Sequence, residues 1–204
     1  MQHESFQGTE CWLEKVVLEC LQNLLVHMRK TLHMTGTTMP AKARQYNKLK
    51  HCGMIFSPTY FSVQDSHIIG KGFSGDWHVG KIKQIFIYPF DLPESQEAYV
   101  VVMQMFKELL SQEAMQDPYH RYSMIGGRLY HSKLEEQIEL VTVHNVIAHF
   151  AYTPYDGLDF RFSYFHALPL NKVLFSQYQL SNTNFSFSNS EQSDRFICAK
   201  VKQA

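Results

Sequence analysis

No apolar run in this sequence approaches 18 residues, so no segment is expected to cross a membrane as a helix. The polar first ten residues do not read as a signal peptide. Cysteine is scarce: Cys11, Cys20, Cys52 and Cys198 lie far apart with no Cys-x-x-Cys pair, which excludes zinc-ribbon spacing and the disulfide framework of a small secreted domain. An intracellular, reducing compartment is the matching expectation. Net charge is missing as a signal too. The chain has 19 Lys+Arg and 19 Asp+Glu, so its overall charge announces no nucleic-acid partner.

Catalytic patterns are also lacking. There is no phosphate-binding glycine loop. Gly72-Phe73-Ser74-Gly75 is not a nucleophile elbow, because Asp76 stands where the closing glycine belongs. Asp65-Ser66-His67 is no triad, since neighbouring strand residues point to opposite faces. None of the eleven histidines has His-x-His or His-x-x-x-His spacing, and His144 and His149 read as turn and core residues. Cys52, near basic residues, has a reactive-thiol reading and an inert one. The expectation is a non-enzymatic chain with no cofactor and no metal.

What is present is β character. Phe (15) and Tyr (11) are abundant, and strand-like runs recur at Trp77–Phe86, Ala98–Phe106, Arg128–His131, Ile138–Val143 and Val146–Phe150, with a further extended segment over Phe160–Leu170. The predicted fold is mainly β, a small twisted β-barrel or sheet, with an added N-terminal amphipathic helix. Gly80 interrupts its run, which predicts a bulge or a close backbone approach. Thr9 to about Met34 shows helical spacing of Trp12, Val17, Cys20, Leu21 and Leu24, with Thr9 as cap and Gly36 as stop. Residues 107–115 suit a short helix, and Asp117-Pro118 a turn, in which Asp117 would pair with Arg128 or Arg121. The resulting division is 1–50 as helical arm and basic linker, 51–171 as β domain and 172–204 as a largely disordered extension.

Charge is uneven within this frame. Arg29, Lys30, Lys42, Arg44, Lys48 and Lys50 fall between Cys20 and Gln64, where there is no acid. The segment reads either as a solvated linker or as an arm contacting phosphates.

Order and wording of the β runs resemble a known family. Val79-Gly80-Lys81-Ile82 with Ile85-Phe86 comes first, followed by Val100-Val101-Val102 through Phe106. Arg128-Leu129-Tyr130-His131-Ser132 and then Val143 to His149 complete the series. Across roughly residues 58–153 this resembles a BAH (bromo-adjacent homology) domain. It is closer still to uncharacterised modules of mushroom-forming fungi that accompany Kyakuja-Dileera-Zisupton-class transposases. The counterparts there are Gly80–Phe86, Asp117-Pro118-Tyr119 with Arg121, Arg128-Leu129-Tyr130 and Ile147–Ala151 followed by Tyr152-Thr153-Pro154. Gln104 and Met105 stand where BAH readers carry a tryptophan and a second aromatic. The resemblance implies a chromatin- or protein-binding β module, nuclear, with no specific histone mark.

Aromatic residues at strand ends could hold an alkylammonium group by cation–π attraction. The candidates are Trp77, Tyr60, Tyr88, Phe106 and Tyr130; the alternative for each is a core or hairpin aromatic. The functional expectation is a module that binds a protein or histone peptide, or a transposase partner. The alternative is a nucleic-acid-binding accessory using the basic 29–50 segment without reading sequence.

Overall fold

The computed structural model describes residues 8–32, 41–72, 75–88, 98–118, 127–156 and 162–170. Expectations that concern Gly36, Arg121 or the extension 172–204 lie outside the described residues.

Strand β6 (Trp77–Tyr88) organises the sheet. Its first half pairs antiparallel with β5 (His67–Lys71), Ile69 lying opposite Val79. Its second half, on the same edge, pairs with β2 (Lys42–Tyr46), and the opposite edge is filled by β7 (Ala98–Phe106). Between β5 and β2 the edge of β6 would be bare at Ile82, and a loop closes the gap. Thr59 donates both its N–H and its hydroxyl to the Ile82 carbonyl, each at 2.9 Å.

From β5 the sheet continues through β10 (Val146–Tyr155) and β11 (Tyr164–Pro169) to β8 (Arg128–His131), while β9 (Leu134–Thr142) lies outside β7. β1 (Thr9–Trp12) borders β2. All registered pairs are antiparallel. The sheet curls but stays open, so it is not a closed barrel. Away from β11, β8 meets the chain just beyond Phe106, where β7 has ended. There His131 N–H donates to Lys107 O (3.1 Å) and Lys107 N–H to Lys133 O (3.0 Å).

The Val-rich strand β7 is buried on both faces because its side chains alternate. Val100 and Val102 face helix α1 (Lys15–Leu32), where Val17, Cys20, Leu21 and Leu24 join Phe86 and Tyr88. Val101 and Met103 face the other way, toward Leu49 and Phe56. Those two residues belong to a small hairpin of β3 (Leu49–His51) and β4 (Met54–Phe56). Its two-residue turn needs positive φ twice. Cys52 at φ 49° and Gly53 at φ 78° supply it.

Several boundaries differ from the sequence reading. Thr9 caps no helix: residues 9–12 pair with Gln45 to Lys42, and the helix begins at Lys15. Trp12 therefore leaves the helical stripe and stands 72% exposed with the Lys42 ammonium over its ring at 4.8 Å. Within the stretch read as a basic linker, Lys42–Tyr46 form β2 of the large sheet and Leu49–His51 form β3 of the small hairpin. Their charges alternate with Ala43, Tyr46 and Leu49, which are buried. Residues 107–115 contribute a single helical turn, α2 (Ser111–Ala114).

Gly80 marks a close approach, while the irregularity in pairing falls between Ile82 and Gln84, leaving Lys83 as the extra residue of a bulge. A Cβ on Gly80 would lie 2.5 Å from the Gln104 carbonyl oxygen and 2.6 Å from Met103 Cγ. Gly80→Ala is expected to cost about 1–3 kcal/mol through overpacking. Leu21→Ala, at a fully buried position, is expected to cost about 2–5 kcal/mol. Denaturant midpoints of the two variants check both figures.

Candidate functional site

The five aromatic residues singled out by sequence do not form one cage. Tyr88 is buried beneath α1 in the core on the far face of the sheet. Its alternation with Ile87 along β6 sends it there. Tyr60 lies in the loop that closes the gap beside β6, 61% exposed, its hydroxyl donating to Asn47 Oδ1 and accepting from Gln45 Nε2, both at 2.8 Å. Trp77, Phe106 and Tyr130 do come together, in a third core with Ile69, Val79, Phe150, Phe165 and Ala167. Phe106 and Tyr130 are buried there and only Trp77 is half-exposed. Burial pushes the Tyr130 hydroxyl up to about 12, against the pull of Arg128 beside it.

This third core opens at one end into an aromatic mouth that sequence reasoning did not foresee. Tyr152 stacks on Phe165 with ring centres 4.3 Å apart and planes 15° from parallel. His67 stacks on Tyr152 at 5.7 Å and 22°. Phe106 leans on Phe165 at 4.5 Å, and the Lys81 ammonium sits over Phe106, 5.5 Å from its centre. Phe165 and Phe106 form the buried floor; Tyr152, 37% exposed, reaches solvent. Its hydroxyl donates to Ser132 Oγ at 2.9 Å, which fixes the ring.

The strands place these groups by register. Lys81 lies directly opposite His67, and Tyr152 opposite Ala167. β10 pairs with β5 only as far as His149, and from Phe150 to Tyr155 it is registered with β11 alone. Ala151 to Tyr155 are exposed or half-exposed. The mouth therefore lies beside a strand edge with unoccupied pairing positions among the described residues. The sequence reading ends this strand at Phe150, whereas β10 runs on to Tyr155; its one-sided pairing depends on where β5 stops.

His67 is the distinctive polar group. It is 9% exposed, and its Nε2 has no hydrogen-bond partner among the described residues. Burial, then the charges of Lys81 and His149, lower its pKa to about 4. The ring is neutral at physiological pH, leaving a polar nitrogen in an aromatic wall next to an ammonium group.

Other titratable groups hold structure. Glu113 of α2 receives the Leu110 N–H (2.8 Å), the Tyr164 hydroxyl (3.0 Å) and His131 Nε2 (3.1 Å). Burial raises its pKa, and these hydrogen bonds with the His131 charge outweigh that and hold it below the ordinary carboxylate value. Asp117 accepts the Leu129 N–H at 3.2 Å and so fixes the start of β8. His149, half-buried rather than in the core, places its two ring nitrogens against the carbonyls of His67 (3.1 Å) and Ile55 (2.9 Å) and stacks on Phe56. His144 lies in the 3-10 turn Val143–Asn145, exposed, its ring 5.3 Å from that of His51. No group of three His, Cys, Asp or Glu side chains among the described residues is placed to hold a metal ion.

The basic segment divides. Arg29 and Lys30 lie late in α1, Lys42 and Arg44 on β2, Lys48 between β2 and β3, and Lys50 on β3.

The titration of His67 sets a sign for stability. The unfolded ring titrates near 6.5 and the folded one near about 4, so between these values the unfolded chain binds the extra proton. Stability should fall as pH drops from 6.5 toward 4 and level off below. His166, lowered by burial against the pull of Asp117, acts in the same direction. Melting temperatures measured across this range should fall less steeply for His67→Phe than for the parent chain.

No protein-family model, no curated protein and no solved structure matches this chain.

Proposed function

We propose that this chain is a non-enzymatic protein-interaction module that binds an extended peptide along β10, with side chains of the peptide lodging at the aromatic mouth. The observation that carries this reading is the exposed Tyr152 ring stacked between His67 and Phe165, beside a strand edge registered on one side. Strand addition supplies affinity through backbone hydrogen bonds, and pockets for alternate side chains supply selectivity. Pro154 breaks the edge pattern, which limits self-pairing of the same strand.

The likeness to BAH domains and to transposase-associated fungal modules supports a chromatin component, a histone tail or a transposase partner as the peptide's source, and a nuclear setting. No described helix is long and apolar enough to cross a membrane. Lys81 already places a cation over Phe106. A methylated lysine would therefore be held against Tyr152, with Phe106 contributing floor rather than cage; Trp77, registered opposite Lys71, lies toward the other end of β5 from the mouth.

A binding screen against modified and unmodified histone-tail peptides tests the reading. Tyr152→Ala should weaken the best peptide by about tenfold or more, in the range of an aromatic anchor. Ile55→Ala, on the separate hairpin, should leave peptide affinity unchanged. If no peptide binds the parent chain, or Tyr152→Ala binds as well as the parent, the mouth is not the docking site.

A further inference from the structure

A second surface, on the β3–β4 hairpin and the gap-closing loop, carries a different chemistry. The hairpin β3–β4 buries Leu49 and Phe56 and turns Lys48, Lys50 and Ile55 outward, with Lys50 directly across from Ile55. The gap-closing loop then adds Tyr60 (61% exposed), Phe61 (49%) and Val63 (55%). Exposed aromatics at consecutive positions are costly to keep in water, and these are held in place. The Tyr60 hydroxyl is bound by both Asn47 and Gln45. The next turn is tied by Phe61 N–H and Ser62 N–H donating to Pro58 O, at 2.9 and 3.0 Å. The Lys48 ammonium lies over one face of Phe61, 5.1 Å from its centre.

We propose that this surface binds single-stranded nucleic acid, with bases stacking on Tyr60 and Phe61 and phosphates meeting Lys48 and Lys50. Charge complementarity selects the occupant. From Leu21 to Gln64 the sequence contains no acid, and Asp65, half-buried at the end of the loop, is the nearest carboxylate in the chain. Pinned rings between lysines match the alternation of flat bases and phosphates, since every base offers a π-face and stacking needs no sequence. An acidic peptide would meet the lysines and leave both rings without a flat partner. A duplex would keep its bases stacked internally and out of reach of the rings. This goes beyond peptide binding at the mouth and uses none of its residues.

Fluorescence anisotropy of the full chain with a labelled single-stranded 20-mer, its duplex form and a polyglutamate competitor, at two salt concentrations, tests the proposal. The single strand should bind more tightly than the duplex. Tyr60→Ala with Phe61→Ala should weaken it by roughly tenfold or more, since stacking of one base on one ring is typically worth at least several-fold. Lys48→Gln with Lys50→Gln should lower the slope of log affinity against log salt by about 1.4, at about 0.7 per phosphate contact on a single strand. Both pairs of changes lie on exposed or half-exposed side chains, and unchanged circular dichroism and melting would confirm folding. Tyr152→Ala should leave nucleic-acid binding intact, so failure here is distinguishable from failure at the mouth. Equal binding by the Tyr60/Phe61 variant, preference for the duplex, or binding of polyglutamate alone would each overturn the proposal.

Discussion

The structure depends on one strand being contacted by three others. β6 carries β5 and β2 in succession along one edge and β7 along the other. Two local features permit it. Gly80 lets β7 come close enough that any side chain would strike the Gln104 carbonyl. The bulge at Lys83 then re-aims the strand, because an extra residue on one side of a ladder bends it and increases its twist. Side chains then alternate between faces: Phe86, Tyr88, Val100 and Val102 lie under α1, and Ile68, Ile82, Ile85, Val101 and Met103 lie under the β3–β4 hairpin.

Both candidate surfaces follow from where pairing stops. β5 ends its register with β10 at His149, and the rest of β10 goes on with a partner on one side, bringing Tyr152 out beside the edge. β2 ends at Ile85 before β5 begins at Lys81, and the loop that fills the interval presents Tyr60 and Phe61. A loop closes the interval between β5 and β2, and the β10 edge stays one-sided; aromatic side chains stand at both places. Large rings suit that place, since they cover backbone at low conformational cost and keep a face toward solvent.

Several histidines join these seams. His149 ties β10 to the backbone of β5 and β4 through two carbonyls, and His131 anchors α2 through Glu113. His67, neutral and set between rings, adds a polar nitrogen to an otherwise apolar wall.

By itself the sequence determined that the chain is mainly β, that Val100–Val102 lie in a buried strand, that Arg128–His131 and Val146–Phe150 are strands, and that His144-Asn145 breaks the chain between two of them. Each of these rests on local alternation or on local turn chemistry, which short-range sterics fix. It also located Gly80 as a place of close approach. Only the tertiary structure decided that Thr9–Trp12 is a strand rather than a helix start, since that depends on pairing with residues some thirty positions away. The same applies to the basic segment becoming β2 and β3, to Tyr88 turning under α1 while Tyr152 reaches the surface, and to the sheet remaining open. Strand-end aromatics look alike in sequence; which are floor, rim or core is set by register and by which edge is covered, and these are properties of the assembled sheet.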